Sequence, residues 1–192
     1  GKLEKISAKS EYSKNKFLDL SLNKDSKTGD SILEIYSDEA KPLVNSYKFF
    51  EGLAGGSLIF VSKSNKNKTL GNLSIENFKL NKAPGFAKLL SLADLRGLTD
   101  ALKGEGITFD KLSINYESTN DWMEISEIFL IGPSISILVE GYLDKKKDIL
   151  SLRGTLVPAK TLNYLVSKIP VIGDILIGKK TGDGLFGVSF KI

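Results

Sequence analysis

The chain has 192 residues, 41% hydrophobic and 26% charged, which is enough apolar material for a packed core and excludes global disorder. It has no cysteine and no histidine, so disulfides and thiolate chemistry are excluded, and the commonest general base and commonest metal ligand are missing. The formal net charge of +4 comes almost wholly from lysine, with Arg96 and Arg153 the only arginines, which argues against nucleic-acid recognition through arginine forks.

Residues 2–12 begin a series of segments with period-two alternation, the mark of a half-buried strand. Leu18, Leu20 and Leu22 then alternate with Asp19 and Ser21. Further strands are expected over 30–37, 55–63, 69–80, 107–117 and 121–131. Ile135, Ile137, Val139 and Leu143 alternate with polar residues, as do Leu150, Leu152 and Leu156, and 183–192 closes the series. Turn chemistry separates these segments at Asp25 to Gly29, Asn65 to Lys68, Asn120-Asp121 and Lys145 to Asp148. In 107–117 the phase slips between Phe109 and Leu112, which predicts a bulge.

Three segments break the period. Residues 38–51 read as a short helix with Ser37 or Asp38 as N-cap and Pro42 in its first turn. Residues 84–103 place Phe86, Leu89, Leu90, Ala93 and Leu98 at helical spacing. Residues 158–178 carry a stripe of Leu162, Leu165, Val166, Ile169, Ile172 and Leu176, bent at Pro170 and loosened by Gly173. The expected fold is therefore a β-rich α+β domain: one long, strongly bent antiparallel sheet, a groove or half-barrel, with two or three helices capping it. No repeat and no linker divides 1–192.

Catalytic and metal-binding motifs are not found. Gly52, Gly55 and Gly56 precede a strand and read as a helix stop and turn, not a phosphate loop. Asp110 has Glu105 and Glu117 as possible carboxylate partners, with no apolar pocket indicated around them. Ser167-Lys168 are sequence neighbours, which point to different helix faces. The lysine runs at 63–68 and 145–147 fall in turns and read as solvated. With no catalytic residue, metal ligand or cofactor in view, the distinctive feature is apolar surface. Two or three helices are few to cover about ten strands. A lipid, a partner or a neighbouring part of the same protein would complete the cover. One strand face (Ile135, Ile137, Val139, Leu143, Leu150, Leu152 and Leu156) and one helix face (Leu165, Ile169, Ile172 and Leu176) are the candidates for acyl-chain contact. Ordinary core packing is the competing reading of the same positions.

The stretch 148–192, DILSLRGTLVPAKTLNYLVSKIPVIGDILIGKKTGDGLFGVSFKI, resembles the closing segment of AsmA-like proteins of Gram-negative bacteria, which include the large YhdP and TamB types. The resemblance rests on LRGTLVPA, on a helix reading TLNxLxxxIPxxGDxLxG and on GLFGVSF. It extends back through 77–147, and covers 1–76 only in style, as a strand-helix-strand lead-in. It implies a C-terminal, non-enzymatic domain of a periplasmic protein anchored in the inner membrane. It also implies an apolar groove that conducts phospholipid between inner and outer membranes and supports outer-membrane integrity, with no cofactor and no catalytic residues. The partners implied are phospholipid or another acyl lipid, with an outer-membrane or envelope assembly protein as the alternative. The chain opens on Gly1, and its only methionine is Met123; it is expected to be a piece of something longer, with any anchor upstream.

Overall fold

A computed structural model describes all residues except 1–3, 46–51, 93–96, 98, 99, 101, 102, 159–187 and 192. Ten antiparallel strands form one open sheet in strict chain order. They are β1 (Lys5–Ser13), β2 (Lys16–Lys24), β3 (Ser31–Ser37), β4 (Leu53–Ser64), β5 (Thr69–Leu80), β6 (Ile107–Ser118), β7 (Trp122–Ile131), β8 (Ile135–Asp144), β9 (Ile149–Pro158) and β10 (Val188–Lys191). Helix α1 (Lys41–Val44) follows β3, and α2 (Pro84–Leu92) follows β5. Every strand pairs with its sequence neighbour, and several of the connections are short turns closed by their own side chains. Asn65 Oδ1 accepts from the backbone N–H of Asn67 and Lys68 at 2.8 and 2.9 Å. Asp25 and Asp144 close their turns in the same way. These are Asx turns, in which a short side chain replaces a backbone acceptor.

Two expectations about local structure need correction. The N-cap of α1 is Ala40, with no side-chain cap. Asp38 is already engaged, accepting from the Phe17 N–H at 2.9 Å and from the Tyr36 hydroxyl at 2.7 Å. Ser37 donates to the Glu39 carbonyl. The expected bulge between Phe109 and Leu112 is not a one-strand insertion. Glu76 pairs with Lys111 and Phe78 with Phe109, so Asn77 and Asp110 are passed over together and the register is kept. The same step occurs in β4, where Ser57 pairs with Glu76 and Gly55 with Phe78. One residue is skipped on each of three neighbouring strands, so Leu58, Ile75 and Leu112 share a face with Phe78 and Phe109. The step requires left-handed backbone at Gly55, Gly56 and Asn77, with φ of 70°, 81° and 55°. Gly55 and Gly56 thus lie inside a strand, not before one.

A bulge does lie in β7. Ile125 pairs with Gly141 and Ile128 with Val139, so two residues of β7 oppose one of β8. On the other side, Ile125 pairs with Tyr116 and Glu127 with Asn115, which identifies Ser126 as the extra residue.

The core forms where both helices meet the sheet. Ala40 and Val44 of the α1 region, with Ala83, Phe86 and Leu90 of the α2 region, join Leu53, Leu80, Ile107, Phe78 and Phe109 in one buried cluster. Phe78 stacks on Phe109 at 5.4 Å between centroids. Of the three expected helices, two are present as the short α1 and α2, and the expected segment at 158–178 lies outside the described residues from 159 onward.

Candidate functional site

Directly paired residues in an antiparallel sheet share a face, so the register can be read across the strands as rungs. The first rung runs Leu18, Ser37, Leu58, Ile75, Leu112, Leu130, Ile137, Leu156. From Leu58 onward its side chains belong to the buried cluster. The second rung runs Ala8, Leu20, Ile35, Phe60, Leu73, then Ile114, Ile128, Val139, Gly154 and Phe190. All ten strands place an aliphatic or aromatic residue, or glycine, on it. A third rung includes Ile6, Leu22, Leu33, Ile125 and Leu152, and a fourth passes from Lys24, Ser31 and Ser64 to Met123, Leu143 and Leu150.

Exposure rises along this series. Ile35, Phe60, Leu73, Ile114 and Ile128 of the second rung are partly buried against the rim of the core. On the third rung, which also passes through the buried Ser62 and Gly71, Leu152 packs there and Ile6 is exposed. On the fourth, Leu150 is 47% exposed. One apolar face is thus packed under the helices at one end and, among the described residues, left open at the other.

This gradient divides the strand positions expected from the sequence. Ile135, Ile137, Val139 and Leu156 are fully buried, with exposures of 0, 4, 6 and 0%, and are core. Leu143 and Leu152 are half-buried and Leu150 is exposed. All share one face by register, as period-two alternation requires. Leu165, Ile169, Ile172 and Leu176 lie outside the described residues. Reasoning within single strands missed the first half of the face, from Ala8 to Leu73. The signal was present in the alternation of β2 to β5, but only cross-strand register joins it to the second half.

The opposite face is mixed: Ile32, Tyr36, Ile59, Leu70, Trp122, Tyr142 and Ile149 are exposed on it beside polar pairs. Lys9 bridges Asp19 at 3.1 Å, Asn72 donates to Asn115 at 2.6 Å, and Arg153 donates to Glu140 at 2.6 Å. An open depression of about 880 Å³ lies there, lined by Trp122, Glu124, Tyr142, Ser151 and Arg153 among others. Asp110 and Glu117 stand seven positions apart in β6, roughly 23 Å at the usual rise per residue, and Glu117 instead pairs with Lys68 at 3.1 Å. Among the described residues no group of three acidic side chains is placed to hold a metal ion. Also among them, no helix is long and apolar enough to cross a membrane.

Compared with protein-family models, with curated proteins and with solved structures, the chain has no match.

Proposed function

We propose that this chain is a non-enzymatic lipid-handling module, and that the open part of its apolar face is where acyl chains lie. The observation that supports this most is the second rung, which stays free of polar side chains across all ten strands. Much of that rung is packed against the core, and the apolar surface it leaves only partly covered, at Ile35, Phe60, Leu73, Ile114 and Ile128, is unfavourable in water unless something apolar occupies it. An acyl chain gains about 0.8 kcal/mol per methylene removed from water, and many weak contacts of this kind hold a lipid without fixing its identity. In this reading the sheet curls into a groove, with the helices closing one end. The resemblance of 148–192 to AsmA-like proteins supports reading it as a periplasmic module of a longer inner-membrane-anchored protein that passes phospholipid toward the outer membrane.

Native mass spectrometry of the purified chain, with lipid extraction alongside, tests the proposal. Co-purifying phospholipid that is lost in Leu33→Asp supports it. A clean apo mass, with no uptake from labelled liposomes, overturns it.

A second reading is favoured by one feature. Strand β1 pairs only with β2 and is exposed along its whole length, so its outer edge can accept a strand from a partner. A docking module of this kind binds a protein at the β1 edge and takes up no lipid.

A further inference from the structure

Some turn lysines have partners: Lys68 pairs with Glu117 at 3.1 Å, Lys145 donates to Ser118 at 2.7 Å, and Lys146 pairs with Asp121 at 2.9 Å. Lys5, Lys24, Lys27 and Lys66 line a depression of about 630 Å³, and among the described residues none of their ammonium groups makes an ion pair or hydrogen bond. Glu4, the acid in its lining, already accepts a hydrogen bond from the Ser26 hydroxyl, and Asp25 beside it accepts from the Lys27 and Thr28 N–H groups. An added β-carbon at Gly29 would stand 3.6 Å from Lys66 Cε, so the Lys66 stem lies along the β2–β3 turn. Lys5 pairs with Asn23 on the other face from Ile6, which leaves Lys24, Lys27 and Lys66 as three cations that repel one another and favour an anion between them.

The lining also fixes what kind of anion fits. Ile6 and Leu22 form part of it, and they are paired neighbours on the third rung. Lys24 follows on the fourth rung. The cationic depression is therefore continuous with the open apolar face, at its polar border. Resting on the lipid reading above, we propose that this is the headgroup site for a phosphate-bearing anionic phospholipid, its tails on the Ile6–Leu22–Leu33 rung and its phosphate among Lys24, Lys27 and Lys66. The shared chemistry is a phosphate group; a free phosphate is the other source of it.

Fluorescence titration of the full chain with short-chain NBD-labelled phosphatidylglycerol and phosphatidylcholine separates the cases, with ³¹P line broadening of inorganic phosphate run in parallel. The expected result is phosphatidylglycerol bound at least about tenfold tighter at low salt, a preference that shrinks as salt screens the lysines. Each lysine removed costs about fivefold. The combined Lys24→Gln, Lys27→Gln, Lys66→Gln variant therefore loses the preference while phosphatidylcholine binding stays unchanged, and the matching Lys→Arg variant restores it. Equal binding of both lipids by the native chain overturns the headgroup site and leaves the apolar path standing. An unchanged preference in the glutamine variant likewise overturns it. Binding of neither lipid overturns the lipid reading itself. Binding of phosphate alone then identifies a free-anion site and overturns the proposal.

Discussion

The ring of Phe86 on α2 stands edge-on to that of Phe109 on β6, with centroids 5.6 Å apart and planes at 83°. Both side chains are fully buried. Phe109 is also stacked on Phe78, so this triad fastens the helix to the strands just beyond the step in the sheet. Phe86→Ala removes the centre of the contact and leaves a cavity. The expected loss is about 3–5 kcal/mol, with Phe86→Leu costing less than half of that, as read by urea unfolding.

The face divides into a packed part and an open part, and aspartate substitution separates them. Ile137→Asp places an unpaired charge in the core and is expected to prevent folding or remove most of the stability. Leu150→Asp, at an exposed position on the same face, is expected to leave the thermal midpoint within a few degrees of native. If acyl chains use this end, the Leu150 variant folds and takes up less lipid from labelled liposomes. Equal uptake would exclude Leu150 from the path.

Gly132 sits against the backbone of β6. A β-carbon there would stand 2.6 Å from the Thr108 carbonyl oxygen and 3.3 Å from Phe109 Cα. Gly132→Ala therefore has to move backbone atoms, and is expected to lower unfolding stability by about 1–3 kcal/mol. At Gly97 an added β-carbon meets nothing within 4 Å, so Gly97→Ala is expected to be neutral or slightly stabilising. Equal effects at the two positions in a denaturant titration would refute the close-approach account.

The Tyr36–Asp38 hydrogen bond carries a pH dependence at both ends. The Tyr36 hydroxyl, and then the Phe17 N–H, hold the Asp38 carboxyl below its ordinary value of 3.8. The same bond raises the Tyr36 phenol above 10.0. A lowered carboxyl stabilises the fold fully above its unfolded value and loses that contribution as pH falls through the folded one. A raised phenol stabilises fully below its unfolded value and loses its contribution as pH rises through the folded one. Relative to native, Asp38→Asn should therefore show its largest deficit in thermal midpoint at neutral pH. The gap should narrow below about pH 4 and again above about pH 10. A constant gap across the range would rule out this linkage.

The strand pattern was legible because its causes are local. A side-chain period of two, together with Asp and Asn closing their own turns, marks β5 at Thr69–Leu80 without reference to any distant residue. The slip at Phe109 was visible too, but its form was not: whether a bulge or a coordinated step accommodates it depends on Gly56 and Asn77, which lie in neighbouring strands. In β7 the change of spacing from Met123 and Ile125 to Ile128 and Leu130 was an available sign of the Ser126 bulge.

The sequence by itself determined the β-rich class, the order of the strands and, within a regularly alternating strand, which residues share a face, because alternation and turn chemistry act over a few residues. Only the tertiary structure decided which part of that face is core and which is open. Ile137 and Leu150 are alike in sequence context, but one lies within the cluster that α1 and α2 help to bury and the other beyond it. It also decided that Lys5, Lys24, Lys27 and Lys66 share one depression, since residues up to 61 positions apart meet only once three ladders are in register. Local interactions write the strands; long-range packing alone assigns cover, exposure and the company each charge keeps.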